Sequence, residues 1–167
     1  MSKTSVRKKS WKYKNTLVWK GGKQGNLTSA EKPQIQVSTP ADFGGPEGMW
    51  TPEDFLVAAV NSCIMTTFLY LRGKNHIDLT YYESIAEGEI VSEGGELQFA
   101  SIVIRPNVGV KGPDDVGKAH EAFSRVEQMC LISKAIDSEV SVEPRVEAGH
   151  KGTSKRKGTT HEVADIE

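Results

Sequence analysis

Thr51-Pro-Glu-Asp-Phe-Leu-Val-Ala-Ala-Val-Asn-Ser-Cys-Ile-Met-Thr-Thr-Phe-Leu-Tyr-Leu71 decides how the rest of the chain is read. Thr51 suits an N-cap, Pro52 the first helical position, and Glu53 and Asp54 complement the positive end of the helix dipole. From Phe55 to Leu71 there is no charge, and apolar residues occupy nearly every face. Such a helix belongs at the centre of a soluble assembly or in a membrane. Its length reaches the roughly 17–25 residues that a spanning helix needs. Asn61, Ser62, Thr66 and Thr67 interrupt it, however, and no second candidate exists, so no membrane is expected. Cys63 stands in its middle.

The only other cysteine, Cys130, continues the stripe Val116, Ala119, Phe123, Val126 of a second helix, read from about residue 114 to 136. Two thiols so far apart in sequence meet only if their helices pack on each other. If they meet, a sulfenic acid formed on one can be condensed to a disulfide by the other. If they do not, they are two small core residues. A bridge needs Cα atoms about 4.4–6.8 Å apart, and spacing alone does not decide that. Zinc is not expected, for there is no Cys-x-x-Cys and His76 and His120 stand alone. No other metal and no cofactor is expected.

Around the helices the pattern is that of strands. Residues 11–19 alternate, 27–29 and 34–38 read as short strands, and 20–25 is a glycine–lysine turn. Residues 78–91 and 97–105 form two long strands joined by a hairpin at Glu93-Gly-Gly95, followed by a loop over 106–113. Val140, Val142 and Val146 mark a last strand. The order β-β-β-α-β-β-α-β predicts an α+β chain with a single domain over residues 11–147. A basic arm (1–10) and a polar tail (148–167) are expected to be disordered.

Lys and Arg number 21 against 22 Asp and Glu, a formal charge of −1, so no global field selects nucleic acid or an anionic membrane. Two cysteines are too few for a disulfide scaffold, and the N-terminus does not read as a leader. The cytoplasm is the expected compartment, where a thiol pair is more often catalytic than structural.

Two charged positions admit two uses each. Glu53 is either an acid at a helix start or a catalytic acid. The second use meets an objection, because ten residues of uninterrupted helix separate it from Cys63 by about 15 Å along the axis. Either the helix breaks near its start, or Glu53 serves a cysteine of another subunit. Lys23 is either a hydrated hairpin tip that blunts a strand edge or a charge that stabilises a thiolate.

The run Thr39-Pro-Ala-Asp-Phe-Gly-Gly-Pro-Glu-Gly-Met-Trp-Thr-Pro-Glu-Asp-Phe-Leu-Val-Ala-Ala-Val-Asn-Ser-Cys63 resembles the signature of the OsmC/Ohr family, the osmotically inducible and organic hydroperoxide resistance proteins. Pro40, Gly44-Gly45, Pro52-Glu53, Ala58-Ala59 and Cys63 match it in spacing, and Cys130-Leu-Ile-Ser133 resembles its second motif. The resemblance covers about residues 11–147. It implies an intertwined homodimer of α+β subunits, two sheets flanking central long helices. It implies Cys63 as peroxidatic nucleophile, Cys130 as resolving thiol and Glu53 as the acid, with active sites near the subunit interface; we infer from this that Glu53 of one subunit reaches Cys63 of the other.

The sequence departs from the family twice. Gly21-Gly22-Lys23 stands where the family uses Gly-Gly-Arg to hold the thiolate, and Leu131 stands where many relatives have proline. Lysine is a hydrated point charge without arginine's planar fork. The implied activity is a thiol peroxidase that reduces organic hydroperoxides with apolar chains to alcohols. An external dithiol, lipoyl in relatives, reopens the disulfide. Met65, Phe68, Tyr70 and Trp50 are candidate pocket walls. A second reading keeps the fold without turnover, as a stress or ligand-binding dimer or a thiol redox sensor, and Lys23 favours it. A third, a nucleic-acid binder through the basic termini, is weakened by how short those runs are.

Overall fold

A computed structural model describes residues 9–149 of the chain; the expected arm and tail fall almost wholly outside the described residues. The elements run β1 (Thr16–Gly21), β2 (Gln24–Thr28), β3 (Ile35–Ser38), α1 (Pro52–Lys74), β4 (Leu79–Glu93), β5 (Glu96–Val110), α2 (Pro113–Met129), β6 (Glu139–Val142) and β7 (Arg145–Ala148). This is the expected α+β composition, two sheets and two long helices. The chain divides into two compact units between Leu56 and Val57, inside α1.

In the N-terminal unit β1, β2 and β3 form an antiparallel sheet in that order. The first strand begins at Thr16 and not at residue 11, because its pairing with β2 starts there, Thr16 lying opposite Thr28. The hairpin between β1 and β2 turns on Gly21 and Gly22, at φ +109 and +52, a region that side chains resist. A bulge between Trp19 and Gly21 accompanies the turn, and the indole N–H of Trp19 donates to the Gly22 carbonyl at 2.9 Å. After β3 the chain coils tightly, with the Phe43 and Gly45 N–H groups both donating to the Pro40 carbonyl at 3.0 Å. A Cβ on Gly45 would lie 1.8 Å from the Thr39 carbonyl oxygen, so this position requires glycine.

Thr51 caps α1 as the sequence predicts, through a reciprocal pair. The Asp54 N–H donates to Thr51 Oγ1 at 3.2 Å, and the Thr51 N–H donates to Asp54 Oδ2 at 2.9 Å. This is a capping box with aspartate in place of the usual glutamate or glutamine. Along α1, Val60, Ile64, Phe68 and Leu71 are buried, one stripe at helical spacing. Leu69 and Tyr70 remain 38% and 53% exposed, so other apolar faces are uncovered. By length and composition alone α1 could cross a membrane; its buried stripe is nonetheless part of the C-terminal unit's core.

That core joins the α1 stripe to Ile102, Ile104, Val108 and Val110 of β5 and to Ala119, Ala122, Phe123 and Val126 of α2. Phe68 stacks on Phe123 with ring centroids 4.2 Å apart and planes 8° apart, so the two helices do pack on each other. Each fully buried large side chain contributes about 1.5–3 kcal/mol. β4 and β5 form a fifteen-residue antiparallel hairpin closed by Gly94 and Gly95, both at positive φ. This two-residue turn matches the twist of the strands.

Three expectations are corrected here. The segment 106–110 is strand and not loop. β6 pairs in parallel with residues 101–104 of β5, and β7 with 107–110. Pro106 therefore falls in the gap between two partners, where a missing N–H costs no ladder bond on that side. The last strand is accordingly two short ones, with Pro144 between them. Thirdly, α2 ends at Met129 and not near 136, so Cys130 lies just beyond the helix, with extended backbone at φ −65, ψ 118.

Candidate functional site

The C-terminal unit brings the two cysteines together. Cys63 projects from the middle of α1 and Cys130 from just past the end of α2, and the Phe68–Phe123 stack holds the two helices against each other. The two Sγ atoms are 2.6 Å apart, with the Cys130 thiol donating to the Cys63 sulfur. Both are free thiols. The separation is close to the roughly 2.05 Å of a disulfide, so little movement is needed to close one.

Their surroundings differ. Cys130 is fully buried. Burial first, and the neighbouring Cys63 sulfur second, push its thiol up from the ordinary value. Cys63 is half-buried, within reach of a solute. Burial, the largest influence, pushes it up as well, but hydrogen bonds from Cys130, from the backbone N–H groups of Ile132 and Leu131, and from the Thr67 hydroxyl together outweigh it and bring Cys63 below the ordinary value. The two sulfurs titrate as a coupled pair. Of the two, Cys63 is the more readily ionised.

Lys23 and Glu53 belong to the N-terminal unit, where they line one open cavity of about 600 Å³ together with Leu17, Trp19, Val37 and Phe43. Lys23 reaches it from the glycine turn, and its Nζ donates to the Phe43 carbonyl. No ion pair joins Lys23 to Glu53 among the described residues. Glu53 is not needed as a cap, since Asp54 does that work. One Glu53 carboxylate oxygen, Oε2, is buried and has no hydrogen-bond partner. A carboxylate left so is unusual in a merely structural role.

α1 is unbroken from Pro52 to Lys74, which removes the first of the two ways by which Glu53 could serve Cys63. Of the candidate walls, Phe68 is core, Tyr70 is exposed with the Lys74 ammonium over its ring, Trp50 stacks on Phe55, and Met65 is half-buried. Sequence reasoning missed Thr67, four residues after Cys63 on the same helix face. It also missed the amides of Leu131 and Ile132, for which no side chain gives a signal.

Comparison with known proteins gives consistent answers. Residues 44–145 match the model of the family described as OsmC-like protein. The curated protein YmaD of Bacillus subtilis, uncharacterised, is 26% identical over 122 residues, which is 71% of this chain and 77% of that protein. An OsmC-like protein of unknown function from Vibrio cholerae superposes with a TM-score of 0.75 at 19% identity, covering 81% of this chain and all of its own. The organic hydroperoxide resistance protein OhrB of Bacillus subtilis gives a TM-score of 0.59 at 20% identity, over 82% of this chain and 98% of its own.

Proposed function

We infer, from the premise that the chain belongs to the OsmC-like protein family, that it is a cysteine-based peroxidase acting on organic hydroperoxides. The observation that carries this reading is the Cys63–Cys130 pair, 2.6 Å apart and split into a lowered and a raised thiol. The Cys63 thiolate attacks the terminal oxygen of the hydroperoxide. The O–O bond breaks, the alkoxide takes a proton and leaves as alcohol, and Cys63 becomes a sulfenic acid. The Cys130 thiol then displaces water from that sulfur to give the disulfide. An external dithiol, of the lipoyl kind, returns both sulfurs to thiols and is itself oxidised to a disulfide.

In this reading the working molecule is a homodimer. The uncovered apolar residues of α1 support it, since a second copy is the simplest partner for a helix that one small chain leaves half bare. Glu53 and Lys23 then serve the Cys63 of the other subunit, the remaining option for residues so separated along one helix. The cavity they line suits an apolar peroxide tail with a polar head.

Stopped-flow mixing with cumene hydroperoxide tests the proposal. Oxidation far faster than that of free cysteine, abolished in Cys63→Ser, and turnover with a dithiol are expected; a rate no greater than that of free cysteine refutes it. The rival reading, a non-catalytic binder or single-turnover redox sensor, is favoured by one observation: Lys23 Nζ is engaged by the Phe43 carbonyl. Fast oxidation without dithiol-driven turnover would select the sensor.

A further inference from the structure

A net charge of −1 hides an uneven distribution. The first thirty residues hold eight of the 21 lysines and arginines and no acid, which leaves 13 against 22 Asp and Glu for the rest. Among the described residues this basic run comprises Lys9, Lys12, Lys14, Lys20 and Lys23, and the first acid is Glu31. Such asymmetry points to an anionic partner. The field of the whole chain selects none, but the field of this segment does.

Residues 9–20 are exposed without a break. Aromatic residues are set among the lysines, with Trp11 74%, Tyr13 91% and Trp19 73% exposed, and Leu17 and Val18 are bare as well. The segment is nonetheless held in place. β1 pairs with β2 from Thr16 onward, and just before it the Ser29 hydroxyl donates to the Lys14 carbonyl at 2.9 Å. The Trp19 indole N–H is satisfied by the Gly22 carbonyl, which leaves the ring itself uncovered. Among the described residues β1 pairs with β2 alone. Contiguous bare apolar side chains rimmed by polar ones mark an interaction site.

We propose that residues 9–20 are a docking surface for an anionic lipid bilayer. Tryptophan and tyrosine settle at the level of the headgroups, which suit a ring that is apolar with a polar tip. Lysine stems lie along apolar surface while their ammonium groups reach the phosphates. Leu17 and Val18 favour lipid over single-stranded nucleic acid, which is held by aromatic rings and cations and gains little from aliphatic side chains. Leu17 and Trp19 also line the open cavity of about 600 Å³, so the strand that meets the bilayer leads into a space with apolar walls. The inference goes beyond the peroxidase reading and stands whether or not the cysteines turn over.

Co-sedimentation of the full-length protein with vesicles tests it. Vesicles of equal parts phosphatidylglycerol and phosphatidylcholine should carry down far more protein than pure phosphatidylcholine. Lys12→Gln with Lys14→Gln should weaken that binding about 25-fold, about fivefold per lysine at an anionic surface, and the difference should shrink as salt rises. Trp11→Ala with Tyr13→Ala should weaken it too, by a difference that salt leaves in place. All four side chains are exposed, so both variants should keep the fold. Equal binding to the two kinds of vesicle, or unchanged binding in either double variant, overturns the proposal. So does tighter binding to a single-stranded oligonucleotide than to the anionic vesicles. If the aromatic variant loses self-association in sedimentation velocity but keeps its vesicle binding, the surface belongs to a second copy of the chain and the proposal falls.

Discussion

Cys130 has two separable duties, and replacing it with serine or with alanine pulls them apart. Its thiol donates to the Cys63 sulfur at 2.6 Å before any oxidation, and later closes the disulfide. Both variants lose the second duty. Only alanine loses the first, because a hydroxyl still donates. A hydrogen bond to a charged acceptor contributes about 1.5–3 kcal/mol. Cys63 is half-buried, and solvent screening reduces the figure to about 1 kcal/mol. That corresponds to roughly a fivefold smaller thiolate population at a pH below the midpoint.

The sign follows from the acid's direction: removing a donor to the anion raises the Cys63 midpoint, so reactivity falls on the acid side and converges with wild type in alkali. Initial oxidation by cumene hydroperoxide and alkylation by iodoacetamide, both as functions of pH, measure it. Cys130→Ser should keep the wild-type midpoint and stop at the sulfenic acid, trapped by dimedone. Cys130→Ala should show the raised midpoint as well. A Cys130→Ser protein as slow as Cys130→Ala, or an alanine variant with an unmoved midpoint, would refute the reasoning.

Four further outcomes are expected. Phe68→Ala removes a fully buried ring stacked on Phe123 and should cost about 3–5 kcal/mol in urea unfolding; a loss below 1 kcal/mol would mean that the stack does not hold the helices together. Thr51→Ala should cost about 1 kcal/mol through the lost cap, whereas Glu53→Gln, which neutralises a carboxylate with an unpartnered buried oxygen, should leave thermal stability equal or higher while peroxide reduction falls. Asp115 is held below the usual carboxylate range chiefly by the Lys118 ammonium and then by the Asp78 N–H. Its stabilising share is complete above the unfolded-state value and lost as pH falls through the folded one. Asp115→Asn should therefore lower the urea midpoint at neutral pH, and the gap to wild type should close on acidification.

The elements that the sequence predicts well are those whose pattern is local. Thr51-Pro52 marks a helix start by capping chemistry, and Gly94-Gly95 marks a hairpin by backbone freedom, so both fall where expected. Elements set by distant partners were harder to read. Pro106 looks like the end of a strand until β6 and β7 are seen to dock on either side of it. The end of α2 has no glycine or proline to announce it, for residues 129–133 read Met-Cys-Leu-Ile-Ser. The pairing of the thiols was likewise invisible in spacing and became an expectation only through resemblance. The amides that tune Cys63 could not have been found at all, since a backbone donor has no letter of its own.

The long hairpin has a consequence for the protein in solution. Among the described residues β4, fifteen residues long, pairs with one strand, β5. A long strand at the edge of a sheet is a template on which copies of a chain can stack into insoluble fibres. Glu83, Glu87, Glu89 and Glu93 are spread along it, and like charges laid side by side repel a second copy of the same strand. Replacing these four glutamates with glutamine removes that repulsion and leaves the strand open to self-association.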